Sequence, residues 1–226
     1  MTHFIRGIAA ALALAGIATM AAGHGDVAPQ PVNTDALPDV GEEWLIENPY
    51  RADKVGEEIW AKAVEIGDSA YNQNCARCHG LGVVSGGLAP DLRFLEAAEY
   101  GDEWYMERFQ HGYTQDGTTK MPGFGEVLGQ KAGWAIRTYV ETRPEDGALD
   151  AHTARLTAIR DELAAGGGDP AKLKEELVAI STEVKTASGA PVSDSVVRRA
   201  VLFLDGTPEG SKHAAEALTI GLSATH

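Results

Sequence analysis

Apolar residues return at three- and four-residue steps along most of this chain, and that rhythm predicts helices. From Val55 to Asn74, Ile59, Ala63, Ile66 and Ala70 share one face. Asp102 to Gln110 carries Tyr105, Met106 and Phe109, with Asp102 placed to cap its start. From about Glu126 to Thr142, Leu128, Trp134, Ala135, Tyr139 and Val140 are available for packing. Four more helices follow. Leu156, Ile159 and Leu163 mark Ala151–Ala165, which Gly166-Gly167-Gly168 breaks. Asp169 caps the next, Pro170 suits its first position, and Leu173, Leu177, Ile180 and Val184 form its stripe. These two stripes, joined by a short loop, predict an antiparallel hairpin. Val196, Val197, Ala200, Val201 and Leu204 mark a third helix, and Thr207-Pro208 opens a fourth that runs to about Ile220.

Three stretches lack the rhythm. His24 to Asp53 holds Pro29, Pro31, Pro38 and Pro49 and predicts an extended arm, anchored by Trp44, Leu45 and Ile46. Leu81 to Asp91 is glycine-rich, and Tyr113 to Gly125 is expected to be a loop. At the start, Arg6 precedes the apolar run Ile8–Met20, and Ala21-Ala22-Gly23 supplies small residues for cleavage. This is the pattern of a secretory signal peptide, short for a retained span, so stable membrane insertion is not expected, the alternative being an uncleaved signal anchor. The expected fold class is all-α. The divisions are a signal peptide (1–23), an N-terminal arm (24–54), a first helical domain (55–145) and a helical C-terminal extension (146–226).

Charge adds a direction. The 226 residues carry a formal net charge of −14. Residues 24–149 hold 22 acidic and 10 basic side chains, a net −12, and residues 150–226 hold 11 and 8, a net −3. The acidity belongs to the first domain. It argues against nucleic acid and anionic lipid as partners. It suits a partner with a basic patch, approached under electrostatic steering, and it serves solubility equally well.

The chemistry lies in Cys75-Ala76-Arg77-Cys78-His79, which reads C-x-x-C-H. Two thiols at this spacing add across the two vinyl groups of one porphyrin, and the next residue offers its imidazole to the iron. A zinc half-site would need further Cys or His pairs, and the chain has only these two Cys. A redox dithiol would need a βαβ context that the helical pattern does not supply. Covalent haem is therefore the expected cofactor. Thioether attachment takes place outside the cytoplasm, in agreement with the export signal. Both Cys are used, so no disulfide remains.

The surroundings of the motif complete a candidate site. A ligating histidine needs its second ring nitrogen fixed, and the Pro90 carbonyl is the candidate, against the alternative of an ordinary turn. Arg93 is a candidate partner for a haem propionate, or a surface residue. For the sixth ligand, Met1 and Met20 leave with the signal peptide. Met106 falls on an apolar helix face and reads as core. Met121 precedes Pro122, which favours an extended backbone, and is the preferred ligand, with His111 its rival. Gly67 would let another helix approach closely, and Tyr71 would pack across that crossing. His24 could chelate copper if it became the N-terminus. His152, His213 and His226 are scattered and form no metal motif.

Together these residues resemble a class I cytochrome c. The matching pieces are Gly67-x-x-x-Tyr71, Cys75-x-x-Cys78-His79-Gly80, Ala89-Pro90-Asp91-Leu92, Lys120-Met121-Pro122-Gly123-Phe124, and a last helix with Trp134 and Tyr139. The stretches His24-Gly25-Asp26-Val27, Trp44 to Arg51 and Gly123-Phe124-Gly125 are similar to the periplasmic cytochromes that serve pyrroloquinoline-quinone (PQQ) alcohol dehydrogenases. The resemblance covers about residues 24–145. It implies one covalent haem c with His79 and Met121 as axial ligands. It also implies a quinoprotein dehydrogenase as donor and a cytochrome or oxidase as acceptor, in the periplasm. On this view the chain is an electron carrier and no enzyme. The competing function is a haem enzyme or ligand sensor with a labile sixth position. The resemblance does not reach the extension, whose stripes need either their own bundle, the first domain, or another protein.

Overall fold

α1 (Ala52–Asn74) and α4 (Gly125–Glu141) form the frame on which the first domain is built, and they pack against each other more extensively than any other pair of described helices. The structure is a computed structural model that describes residues 28–223. The signal-peptide assignment and the His24–Val27 part of the arm lie outside the described residues. α1 and α4 meet at Gly67, because a side chain there would meet the Ala135 carbonyl and the Tyr139 Cβ. One turn on, the Tyr71 and Tyr139 rings lie 5.5 Å apart at 48°. The buried stripe of α1 is Trp60, Ala63, Val64, Gly67, Ala70 and Tyr71, while Ile59 and Ile66 lie at its margins.

Between the two frame helices the chain forms a one-turn helix, α2 (Ala76–His79), and then α3 (Glu99–His111). A small hairpin pairs β1 (Tyr113–Gln115) with β2 (Thr118–Met121) where a plain loop was expected. Its signal is Asp116-Gly117, the two-residue turn that matches strand twist. Asp102 is not the cap of α3, whose N-cap is Ala98. It is fully buried in the first turn and takes Arg137 Nε at 2.8 Å and Arg51 Nη2 at 2.9 Å. Glu141 accepts from Arg51 as well, at 2.7 Å. Two cations and two carboxylates thus balance inside the fold, as buried charge requires.

That cluster fastens the arm. The Asn48 N–H donates to Asp102 at 2.9 Å, and its side-chain amide donates to Thr138 and Glu141 at 3.0 and 3.1 Å. Gln130 donates to the carbonyls of Gly41 and Glu43. The arm's buried anchors are Leu37, Asn48 and Tyr50; of the expected trio, Leu45 packs against the core with its N–H donating to Gln130, Trp44 covers the Phe109 ring from the surface, and Ile46 is 62% exposed.

The extension has its own apolar core, from Leu149 to Leu222. It holds α5 (Thr153–Ala164), α6 (Pro170–Glu183), α7 (Val196–Phe203) and α8 (Pro208–Ser223). The expected α5–α6 hairpin is not the main pairing, because α8 packs on both α5 and α7, and α6 packs on α7. The periodicity marked each stripe without saying which stripe it would meet. The segment before α7 runs beside the end of α4: Ala187 N–H donates to the Arg143 carbonyl at 3.1 Å and Asp194 N–H to that of Thr142 at 3.0 Å. Asp194 is buried and takes both Arg143 and Arg199. Arg199 also reaches Asp68 of α1, and Arg198 lies over the Trp60 ring at 5.1 Å. The extension is thereby latched to the first domain along α1 and the end of α4.

Candidate haem-binding site

α2 follows α1 after a single residue, so the helix frame hands its position directly to the C-x-x-C-H motif. The N–H groups of Cys78 and His79 both donate to the Cys75 carbonyl, at 3.1 and 3.0 Å. The Tyr71 hydroxyl donates to the Gly80 carbonyl at 2.8 Å and fixes the exit of the motif to α1. Tyr71 therefore serves both the helix crossing and the site.

His79 is buried, and its Nδ1 lies 3.0 Å from the Pro90 carbonyl oxygen. A neutral imidazole donates there through Nδ1–H, which leaves the Nε2 lone pair for a metal. Ser85 supports the same loop: its hydroxyl donates to the Ala89 carbonyl at 2.5 Å.

Met121 is the last residue of β2 and is partly buried against the core. Gly112 makes its position possible. The backbone of Met121, Pro122 and Gly123 passes so close to Gly112 that a Cβ there would lie 2.7 Å from the Gly123 nitrogen. Gly112 also has φ +71°, which L side chains rarely adopt.

Cys75, Cys78, His79, Pro90 and Met121 all line one cavity of about 500 Å³. Its remaining walls are largely apolar, with Leu92, Tyr105, Phe109, Phe124 and Ile136 among them. Phe109 stacks between Tyr105 and Phe124, at 6.0 and 6.2 Å. Met106 is buried in the core and does not line the cavity, and His111 is exposed at the end of α3. Burial pushes the free Cys75 thiol up to about 12, with Cys78 adding to the shift. That is opposite to the depressed pKa of a reactive dithiol. Among the described residues no group of three or more His, Cys, Asp and Glu side chains is placed to hold a metal ion.

Arg93 is not a surface residue. It is buried, and its Nε and Nη2 donate to Asp91 at 3.0 and 2.8 Å, while Nη1 donates to Asp146 at 2.5 Å. The hydrogen bonds from Arg93 hold the Asp91 carboxyl below its usual range, and Arg93 is raised in turn. It does not line the cavity. The sequence reading did not foresee Trp104, Arg108 and Tyr113 on the cavity wall, where the Arg108 guanidinium lies 5.2 Å from each ring. The i,i+4 spacing of Trp104 and Arg108 was the available signal.

A largely apolar cavity of this volume, reached by two thiols at the attachment spacing and by one oriented imidazole, fits a flat porphyrin bound through thioethers. With the crossed-helix frame, this defines a class I c-type cytochrome that carries covalent haem c. Residues 62–140 match the family model described as "Cytochrome C oxidase, cbb3-type, subunit III". The chain is 49% identical over 142 residues to cytochrome c550 of Pseudomonas aeruginosa, covering 62% of this chain and 94% of that one. It belongs to the cytochrome c family. It is also 33% identical over 111 residues to quinohemoprotein alcohol dehydrogenase ADH IIB of Pseudomonas putida, covering 47% of this chain and 15% of that protein. A third relative is the cbb3-type cytochrome c oxidase subunit FixPc of Rhizobium leguminosarum bv. viciae, 32% identical over 146 residues, 61% of this chain and 50% of that one. No solved structure matches significantly. No helix among the described residues is long and apolar enough to cross a membrane.

Proposed function

We propose that this cytochrome is an exported, periplasmic electron carrier that accepts electrons from a PQQ-dependent alcohol dehydrogenase and passes them to a cytochrome or terminal oxidase. Bound haem supplies a one-electron couple. The chain's residues hold it and set its potential. Cys75 and Cys78 would carry the thioethers. His79 would ligate the iron through Nε2, oriented by the Pro90 carbonyl, and Met121 would fill the sixth position, raising the potential as a thioether does. The observation that carries this reading is that Met121, unlike Met106 and His111, shares the cavity with His79. A filled sixth position favours a carrier over a haem enzyme or ligand sensor.

The resemblance of the arm and ligand loop to dehydrogenase-serving cytochromes supports the donor. Similarity to quinohaemoprotein alcohol dehydrogenases supports the same class, and similarity to a cbb3-type oxidase subunit supports an oxidase acceptor. The two separate apolar cores support a boundary between the cytochrome domain (55–145) and the extension (146–226), while the arm (24–54) joins the first core through Leu37 and Tyr50.

The ferric spectrum of the purified holoprotein tests the ligand set. A weak sulfur-to-iron band at the red end of the visible is expected. Met121→Ala should abolish it, while Met106→Ala should keep it at a stability cost of about 2–5 kcal/mol. High-spin ferric haem in the unmutated protein would refute the carrier. For the donor, reduction by a purified PQQ alcohol dehydrogenase should slow as salt rises. Failure of that dehydrogenase to reduce the protein would remove it as partner.

A further inference from the structure

The Pro90 carbonyl can orient His79 only while its own loop is held. Between Leu81–Val83 and Leu92–Phe94 the chain has neither helix nor strand, so side chains must brace it. Ser85 closes the loop on the Ala89 carbonyl at 2.5 Å, and Asp91 ends it. Asp91 accepts the Arg93 backbone N–H at 3.1 Å, and Arg93 Nε and Nη2 at 3.0 and 2.8 Å. Two parallel donors on one carboxylate fix its plane as well as its place. The other arm of the Arg93 guanidinium leaves the first domain: Nη1 donates to Asp146 at 2.5 Å. Asp146 is 78% exposed, and an exposed pair alone is weak. Its backbone is pinned, however. Pro144 bridges Thr186, and the Glu145 N–H donates to the Lys185 carbonyl at 3.0 Å. The extension grips the same segment again at Ala97, whose N–H donates to the Ser188 carbonyl at 3.0 Å. Arg93 is thus buried between the loop that faces His79 and the start of the extension.

We propose that Arg93 is a positioning residue: it acts through Asp91 to keep the Pro90 carbonyl on His79, and the extension holds it in place through Asp146 and thereby tunes the haem potential. This rests on His79 as the ligand proposed above. Donation from Nδ1–H makes an imidazole more basic toward the iron, and a more basic ligand favours the ferric state. A loosened Pro90 loop therefore shifts the couple toward ferrous. Loss of the Arg93 charge alone would shift it the other way, since a nearby cation disfavours the extra positive charge of ferric iron.

Redox titration of the holoprotein tests this, together with the exchange of the His79 Nδ1 proton with water, followed by NMR in the ferrous state. Arg93→Lys keeps the charge and loses the planar fork. At a fixed ambient potential it should lower the ferric-to-ferrous ratio about threefold, a rise of about 28 mV for one electron, and it should quicken the proton exchange. Asp146→Asn, at an exposed position, should make both changes more weakly, with the ratio falling about twofold. It serves if Arg93→Lys fails to take up haem. Its shift should persist in about 1 M salt, which screens an exposed charge beyond about 3 Å. With haem attached and the sulfur-to-iron band intact, an unlowered ratio or an unchanged exchange rate in either variant overturns the proposal. So does an Asp146→Asn shift that vanishes at high salt, because lost charge alone would then explain it. Absence of the band from the unmutated protein would instead sink the ligand set, so the two failures are distinguishable.

Discussion

Replacing Gly67 with alanine pits helix propensity against helix packing, and the two predict opposite signs. In an unpacked helix, alanine is better than glycine by about 1 kcal/mol. At this position the added Cβ would lie 2.6 Å from the Ala135 carbonyl carbon and 2.9 Å from the Tyr139 Cβ. Ordinary carbon contacts begin near 3.5 Å, so α1 and α4 must separate by roughly 1 Å. The obstacle includes backbone, so no rotamer change relieves it. Overpacking of this kind costs about 1–3 kcal/mol. Loosening the Tyr71–Tyr139 ring pair, 5.5 Å between centroids, adds up to about 1 kcal/mol. The net expectation is a loss of about 2 kcal/mol. In urea, with a slope near 2 kcal/mol/M, the midpoint should fall by about 1 M. Unfolding followed by haem absorbance reports the cytochrome domain directly. An unchanged or higher midpoint for Gly67→Ala would show that the crossing is not close-packed there, and the account of the frame would fail.

Two further outcomes concern the extension. Burial acts to raise the Asp194 carboxyl, but Arg143 and Arg199 outweigh it and hold the group below its ordinary value of 3.8. A depressed carboxyl stabilises the fold above its unfolded pKa and loses that stabilisation as pH falls through the folded value. The latch should therefore be constant from pH 7 to about 5 and weaken below 3.8. Asp194→Asn should cost about 1–3 kcal/mol at pH 7, and its deficit against the unmutated protein should shrink on acidification; a deficit independent of pH would refute the pairing. Deleting residues 150–226 should leave haem attachment and the sulfur-to-iron band intact, since among the described residues none after Ile136 lines the cavity. The same deletion should lower the urea stability of the cytochrome domain by about 3 kcal/mol, from several lost hydrogen bonds at about 1 kcal/mol each. Loss of the band would place the extension in the haem site.

The sequence by itself determined the chemistry, because that chemistry is local. Cys75, Cys78 and His79 must be neighbours to meet one porphyrin, so their spacing was legible without coordinates. Gly67 and Tyr71 were legible for a related reason: a glycine and an aromatic one turn apart on a helix constrain what can cross it. Helix positions followed from periodicity, and the hairpin at Asp116-Gly117 was readable from its turn, although a loop was expected. The tertiary structure decided what depends on partners distant in the chain. Asp102 looked like a cap and is instead the buried counter-ion of Arg51 and Arg137. Arg93 is buried and paired with Asp91 and Asp146. Arg108 lies on the cavity wall with Trp104 of its own helix and Tyr113 of the hairpin beside it. A buried charge is assigned by the opposite charges the fold brings near it, and partners as distant in the chain as Arg51 and Arg137 are from Asp102 cannot be read from its sequence neighbours. The sequence already favoured Met121 over Met106, and the folded chain places Met121 on the wall shared with His79 while Met106 is buried in the core.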